Sequence, residues 1–303
     1  MSKSSEALTA LSAAVVAALE AVDQPVEVLV EKMRAVDTLC RVAILEAGDP
    51  VVRTMIRDVI EPQKWAPEVL AKVDFASSLV SMRQPFFVRA MEVVGENAQS
   101  LELQQIVSAI GACRRNKGYP SMRRFDDVLR LKLTGDDSPG AHGWRAKADY
   151  ELHMAAYQMA ETLQGSDALA QYQASRDLAE QSADEATRAG DVCGKLFALM
   201  NVSGLLLPKM GRWEEGFRMS ERVSAEAEAL AAAAPDDEAK KRPLRVAMNA
   251  YLHRIDMLVQ NGGDKGAVPA LLEKLNSNPI YQACKDHADV KAAVECAQRY
   301  VSI

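Results

Sequence analysis

The densest run of chemically capable side chains is "CRRNKGYPSMRRF", residues 113–125, which carries Arg114, Arg115, Lys117, Arg123 and Arg124. Five cations around one helix–helix corner are the chemistry of anion binding, because guanidinium forks grip phosphates and carboxylates through paired hydrogen bonds. A structural account competes with it. Arg114, Arg115 and Lys117 fall in the last turn of a helix expected over 98–117, where cations complement the negative end of the helix dipole. Gly118 then suits a left-handed cap and Ser121 an N-cap, with Tyr119 held extended by Pro120. In the next helix Arg123 lies four residues from Asp127 and Asp126 four from Arg130, so those charges are expected to pair internally. The sequence favours the structural account and keeps, as the alternative, binding of a phosphate ligand or a nucleic acid through the basic corner at 114–124.

Other reactive residues are sparse. The histidines are His142, His153, His253 and His287. Cys284 and His287 share a helical face with Cys296 further on, but a structural zinc site needs four ligands in two tight pairs. No metal or other cofactor is expected. His153 and Glu151 are two residues apart and point to different faces of a helix, which excludes an acid–base dyad. "NGGDKGAVPALLEKL", 261–275, places glycines before a helix but lacks the G-K-[ST] ending of a phosphate loop. With no G-x-S-x-G and no H-E-x-x-H, a non-enzymatic role is expected.

The elements that must position these residues are helices. The 303 residues are 49% hydrophobic but only 5% aromatic, with an apolar mass of alanine and leucine, which form helices rather than strands. Apolar residues recur at helical spacing, as in Ala148, Leu152, Ala155, Met159 and Leu163, or Leu244, Met248, Leu252, Ile255 and Val259. Prolines at 25, 50, 67, 85, 120 and 243 fall near helix starts; Gly118, Gly165, Gly190, Gly211 and Gly262 fall near ends. The expected fold class is all-α with about 13–14 helices. The irregular stretch "TGDDSPGAHG", 134–143, reads as a linker or bend between an N-terminal helical part, 1–133, and a C-terminal part, 144–303.

A net charge of −6 argues against a general nucleic-acid or anionic-membrane binder. Five widely spaced cysteines without C-x-x-C suit buried thiols in a reducing compartment. At the N-terminus the apolar run Leu8–Leu19 is too short to span a bilayer, and Glu6 and Glu20 stand where a secretory leader excludes acids. A cytoplasmic location is expected.

The C-terminal part shows spacing. Helix pairs are expected at 144–163 with 167–189, 192–209 with 212–233, and 239–260 with 264–276, so that successive pairs begin 48 and 47 residues apart. Hairpins repeated this way bury their faces by stacking. Within "NVSGLLLPKMGRWEEGFRMSERVSAEAEAL", 201–230, the residues Gly204, Leu207, Gly211 and Trp213 resemble a tetratricopeptide-type unit in order and spacing. The repeat is longer than that family's roughly 34 residues, and Gly216, Ser220 and Val223 stand at its later small or aromatic positions. "MNAYLHRIDMLVQNGGDKGAVPALLEKL", 248–275, echoes it through Asn249, Gly262 and Ala267. The resemblance implies an α-solenoid of stacked hairpins with Trp213 buried between neighbours. It also implies protein or peptide binding on a concave face lined by the first helix of each pair. The residues left over from the apolar stripes there are Tyr150, His153, Tyr157, Asn201, Asn249, His253 and Arg254, with Asn201 and Asn249 one repeat apart.

Overall fold

The computed structural model describes residues 3–59, 85–96, 98–115, 117–286 and 288–302. Pro67 and His287 lie outside the described residues, and with His287 the proposed Cys284–His287–Cys296 grouping. Every regular element among the described residues is helical, and the chain divides into two compact units, Met1–Asp136 and Asp137–Ile303.

Unit 1 contains α1 (Lys3–Glu20), α2 (Val26–Ala47), α3 (Asp49–Val59), α4 (Pro85–Glu96), α5 (Leu103–Arg115) and α6 (Tyr119–Lys132), with a 3-10 turn at Ala98–Ser100. The first helix lies along α2, both meet α3, and α4 packs on α2 and α3, while α5 and α6 form a hairpin. Leu11, Val36, Cys40, Ile56, Val94, Ile106, Phe125 and Leu129 supply fully buried core side chains. The parallel helices α3 and α4 are laced by Asp49–Arg89, Arg53–Glu92 and Arg57–Glu96, one pair per turn. Exposed ion pairs of this kind add little stability; they fix the register.

At the α5–α6 corner the local geometry departs from expectation. Lys117, not Gly118, takes the left-handed conformation at φ 59°, and its N–H bonds the Arg114 carbonyl. Gly118 instead sits at the N-cap of α6 with φ −83°, its N–H on the Cys113 carbonyl at 2.7 Å. Ser121 is buried in the first turn of α6 and is not the N-cap. Pro120 explains the early start, since proline in the first turn forfeits no helical hydrogen bond.

Unit 2 contains α7 (Pro139–Ala160), α8 (Gly165–Arg188) and α9, whose α-helical part Val192–Asn201 runs on through a π-helical turn, Val202–Leu206, to Leu207–Lys209. There follow α10 (Trp213–Ala232), α11 (Asp237–Gln260), α12 (Ala267–Ser277), α13 (Pro279–Cys284) and α14 (Ala288–Ser302). Residues 139–143, expected in the linker, are the first turn of α7, capped by the Ser138 hydroxyl accepting from the Ala141 N–H at 3.2 Å. The π-turn has a local cause. Pro208 has no N–H to give Gly204, four residues back, and its ring crowds that carbonyl. The backbone widens and the Leu207 N–H reaches Val202 instead. By length and apolar composition alone, Val192–Lys209 would be long enough to cross a membrane; half of it is buried within the protein.

Helix α8 packs on α7 and α9, α10 on α9 and α11, and α11 on α12, α13 and α14. Side-chain contacts join residues 48 to 51 apart in sequence: Asn201 with His153, Lys209 with Glu161, and Arg242 with Asp191. The buried faces are wider than the expected apolar stripes. In α7, Ala148 and Ala155 are buried as expected, Leu152 and Met159 are half-buried and Leu163, just past the helix end, is exposed, whereas Asp149, His153, Ala156 and Ala160, outside the stripe, also face the interior. Small alanines let α8 approach closely.

Candidate functional site

Of the seven residues expected on an open recognition face, three are interior. Asn201 Nδ2 donates to His153 Nε2 at 3.0 Å, which leaves the proton on Nδ1, 3.3 Å from Ser175 Oγ. The Ser175 hydroxyl in turn donates to the His153 carbonyl at 2.7 Å. Hydroxyl, imidazole and amide in a row are the residue types of a nucleophile, base and orienting group. Here they are sealed, with His153 and Ser175 at 0% and Asn201 at 4% exposure, and the hydroxyl proton is committed to a backbone oxygen. The row is a core network that satisfies buried polar atoms.

Arg254 is the third. It is buried, bonds Ser224 Oγ at 3.2 Å, stands 3.6 Å from Glu221, and stacks beside Phe217 and Tyr251. Burial lowers its pKa, against the pull of Glu221. Tyr150 and Tyr157 are half-buried; the first sets its edge against His153, the second tilts on Tyr172. Burial raises the Tyr157 pKa, and Glu161 adds to the shift. Asn249 is half-buried, and no hydrogen bond among the described residues joins it to Asn201. His253 packs on the π-turn at Gly204: a Cβ at that glycine would fall 1.7 Å from its Nδ1, which is buried without a partner. These seven do not form one open face. Polar character misled here, because close helix packing provides partners that make burial of histidine, asparagine and arginine affordable.

An open concavity of unit 2 lies between the start of α10 and the end of α11. It is a cleft of about 270 Å³ lined by Trp213, Glu214, Phe217, Arg218, Met257, Leu258, Asn261 and Gly263. Gly211, at φ 75°, turns the chain out of α9 and lets the Arg212 N–H return to the Leu207 carbonyl at 2.8 Å. That turn launches α10 with Trp213 and Phe217 four residues apart on one side. Gly216 lies between them on the inner face; a Cβ there would meet the Ser203 carbonyl at 2.6 Å, so glycine seats α10 directly on the π-turn. On the far wall the Gly263 N–H closes α11 onto Leu258 at 2.8 Å. Trp213, expected to be buried between hairpins, is half-buried and forms part of the wall. Sequence reading took its ring for core; the signal available was its spacing to Phe217 beside a helix start. The rim charges Glu214 and Arg218 pair with each other across 3.5 Å and are largely exposed.

No protein-family model matches this chain, and no curated protein matches it. Among solved structures it matches a computationally designed self-assembling cyclic protein homooligomer at 9% identity and a TM-score of 0.21, over 99% of this chain and 93% of the other. Likeness at that level carries no argument about this protein.

In unit 1 the five cations of the basic corner differ in exposure. Arg114 is half-buried, while Arg115, Lys117, Arg123 and Arg124 are exposed. Asp126 and Arg130 pair at 3.0 Å as expected, but the Arg123–Asp127 pair is not formed. Arg124 lines a cleft of about 600 Å³, together with Gly95, Glu96, Ala98, Gln99, Ser100 and Val128. Among the described residues there is no grouping of three or more histidine, cysteine or carboxylate side chains fit to hold a metal.

Proposed function

We propose that unit 2 is a stack of tetratricopeptide-like helical hairpins serving as a non-enzymatic scaffold in the cytoplasm, and that its α10–α11 cleft binds a protein or peptide partner. The observation that carries the reading is the cleft wall: Trp213, Phe217, Met257 and Leu258 around a space the chain leaves open. A space of about 270 Å³ has room for one or two apolar side chains of a larger partner. Aromatic walls with a polar rim are also the usual anatomy of a protein-binding hot spot. The recurring His153–Asn201 and Glu161–Lys209 contacts support the stacked arrangement.

Panning a random peptide library on the protein tests this reading. The enriched peptides should share one large apolar residue. Their affinity should fall roughly tenfold or more both with Phe217→Ser, which empties the wall, and with Asn261→Trp, which fills the space from the rim. Peptides that bind both variants as tightly as the wild type would move the function away from this cleft.

A further inference from the structure

We propose that the cleft of unit 1 binds a small organic anion, a phosphate monoester or carboxylate attached to an apolar group, with Arg124 as its anchor. The site is independent of the α10–α11 cleft and rests on different observations. Its volume of about 600 Å³ lies inside the range of roughly 300–1,000 Å³ typical of small-molecule sites. Among the described residues, two charged side chains line it. Glu96 is neutralised, its carboxylate accepting from Arg57 Nε at 3.0 Å and from Nη2 at 2.9 and 2.8 Å. Arg124 has no ion pair or hydrogen bond among the described residues, so the cleft holds one uncompensated positive charge.

The arginine is also placed. Gly95 is buried in the last turn of α4, and a Cβ there would come within 3.3 Å of Arg124 Cδ and 3.7 Å of Phe125 Cζ. Glycine therefore lets the arginine stem lie flat along the end of α4 beside the cleft. Val128, one turn further along α6 and half-buried, gives the cleft an apolar side, and the exposed Gln99 and Ser100 give it polar groups. A guanidinium beside an apolar wall selects a planar or tetrahedral anion carrying a hydrophobic substituent. A nucleic acid fits less well, since a polyanion is held by many phosphate contacts and the described lining supplies one cation.

Calorimetric titration with phenyl phosphate, with benzyl alcohol as the uncharged comparison, tests the assignment. Expected is saturable one-site binding of phenyl phosphate and none of benzyl alcohol. Arg124→Gln should weaken binding by roughly tenfold or more, the usual cost of losing a charge-assisted hydrogen bond. Gln99→Trp, which fills the cleft without changing its charge, should abolish it. Arg123→Gln, an equal charge change on the neighbouring exposed residue, should leave it intact. Equal loss in the Arg123 and Arg124 variants would reduce the effect to diffuse surface charge, and absence of saturable binding to the wild type would overturn the site; circular dichroism confirms that each variant is folded.

Discussion

Asn201 and His153 are 48 residues apart in sequence and joined by a 3.0 Å hydrogen bond in the interior of unit 2. The bond links α7 to α9. Its burial decides what substitution does. An exposed asparagine would be replaced at a cost within about 0.5 kcal/mol, but here Asn201→Ala strands the Nε2 lone pair of a fully buried imidazole. The expected loss is about 1–3 kcal/mol in urea unfolding. His153→Leu combined with Asn201→Leu should cost less than the two single changes added together, because neither partner is left unsatisfied. Strict additivity would show that the bond contributes nothing.

Gly204 offers a second test, because the His253 ring occupies the place of its missing side chain. A Cβ would lie 1.7 Å from Nδ1 and 2.2 Å from Cγ, far inside contact distance. Gly204→Ala is expected to lower stability by about 1–3 kcal/mol or more, the range for overpacking. Adding His253→Ala to that variant should restore part of the loss, since it removes the atoms struck. If the double variant is no better than Gly204→Ala alone, the clash is not the cause.

The same histidine gives the protein an acid limit. Burial lowers the His253 pKa from 6.5 to about 4, with the Met200 carbonyl pulling weakly the other way. Because the folded value lies below the unfolded one, the unfolded chain takes up the proton first as pH falls. The stabilisation is complete above pH 6.5, declines between 6.5 and 4, and is gone below 4. A shift of this size corresponds to about 3 kcal/mol. Measured as unfolding free energy against pH, the wild type should lose about that much more than His253→Leu across the window. Parallel curves would place the acid sensitivity elsewhere.

The fold class was readable because helix formers, helical spacing and terminal prolines and glycines all point one way. Gly190, Gly211 and Gly262 take φ 75°, 75° and 63° at the helix ends where their positions imply them. The full width of the buried faces was not readable. In α11 the expected stripe holds at Met248 and Ile255, which are buried, and Leu244, Leu252 and Val259 are half-buried, while Ala247, Ala250, Tyr251 and Arg254, outside that stripe, also face inward. Two effects combine: alanine allows the closest helix approach but weighs little in an apolar stripe, and a polar side chain goes inside once another helix supplies its partner. Those partners come from helices 22 to 48 residues away, as Ser175 and Asn201 do for His153. The α10–α11 cleft was hidden for the same reason. Trp213 has the composition of core, and only the turn at Gly211 and the seating of Gly216 on Ser203 decide that its ring lines an opening.

Thiol reactivity provides the last test, and it separates positions that composition treats alike. Cys40, Cys113 and Cys193 are buried, Cys284 is half-buried, and Cys296 is exposed, contrary to the expectation that all five are interior. Burial pushes the Cys40 thiol up to about 12, with Arg89 pulling it down and Asp37 pushing it further up. Burial also raises Cys193. Since the thiolate is the reactive species, the native protein at pH 8 should be alkylated by iodoacetamide first at Cys296. Cys284 is partly covered and stands 3.7 Å from the Met248 sulfur, so it should follow more slowly. The three buried thiols should react only after unfolding. Peptide mass spectrometry over a time course reads the order directly. Early modification of Cys40, at a rate like that of Cys296, would mean that the α1–α2–α3 core opens far more readily than its packing implies.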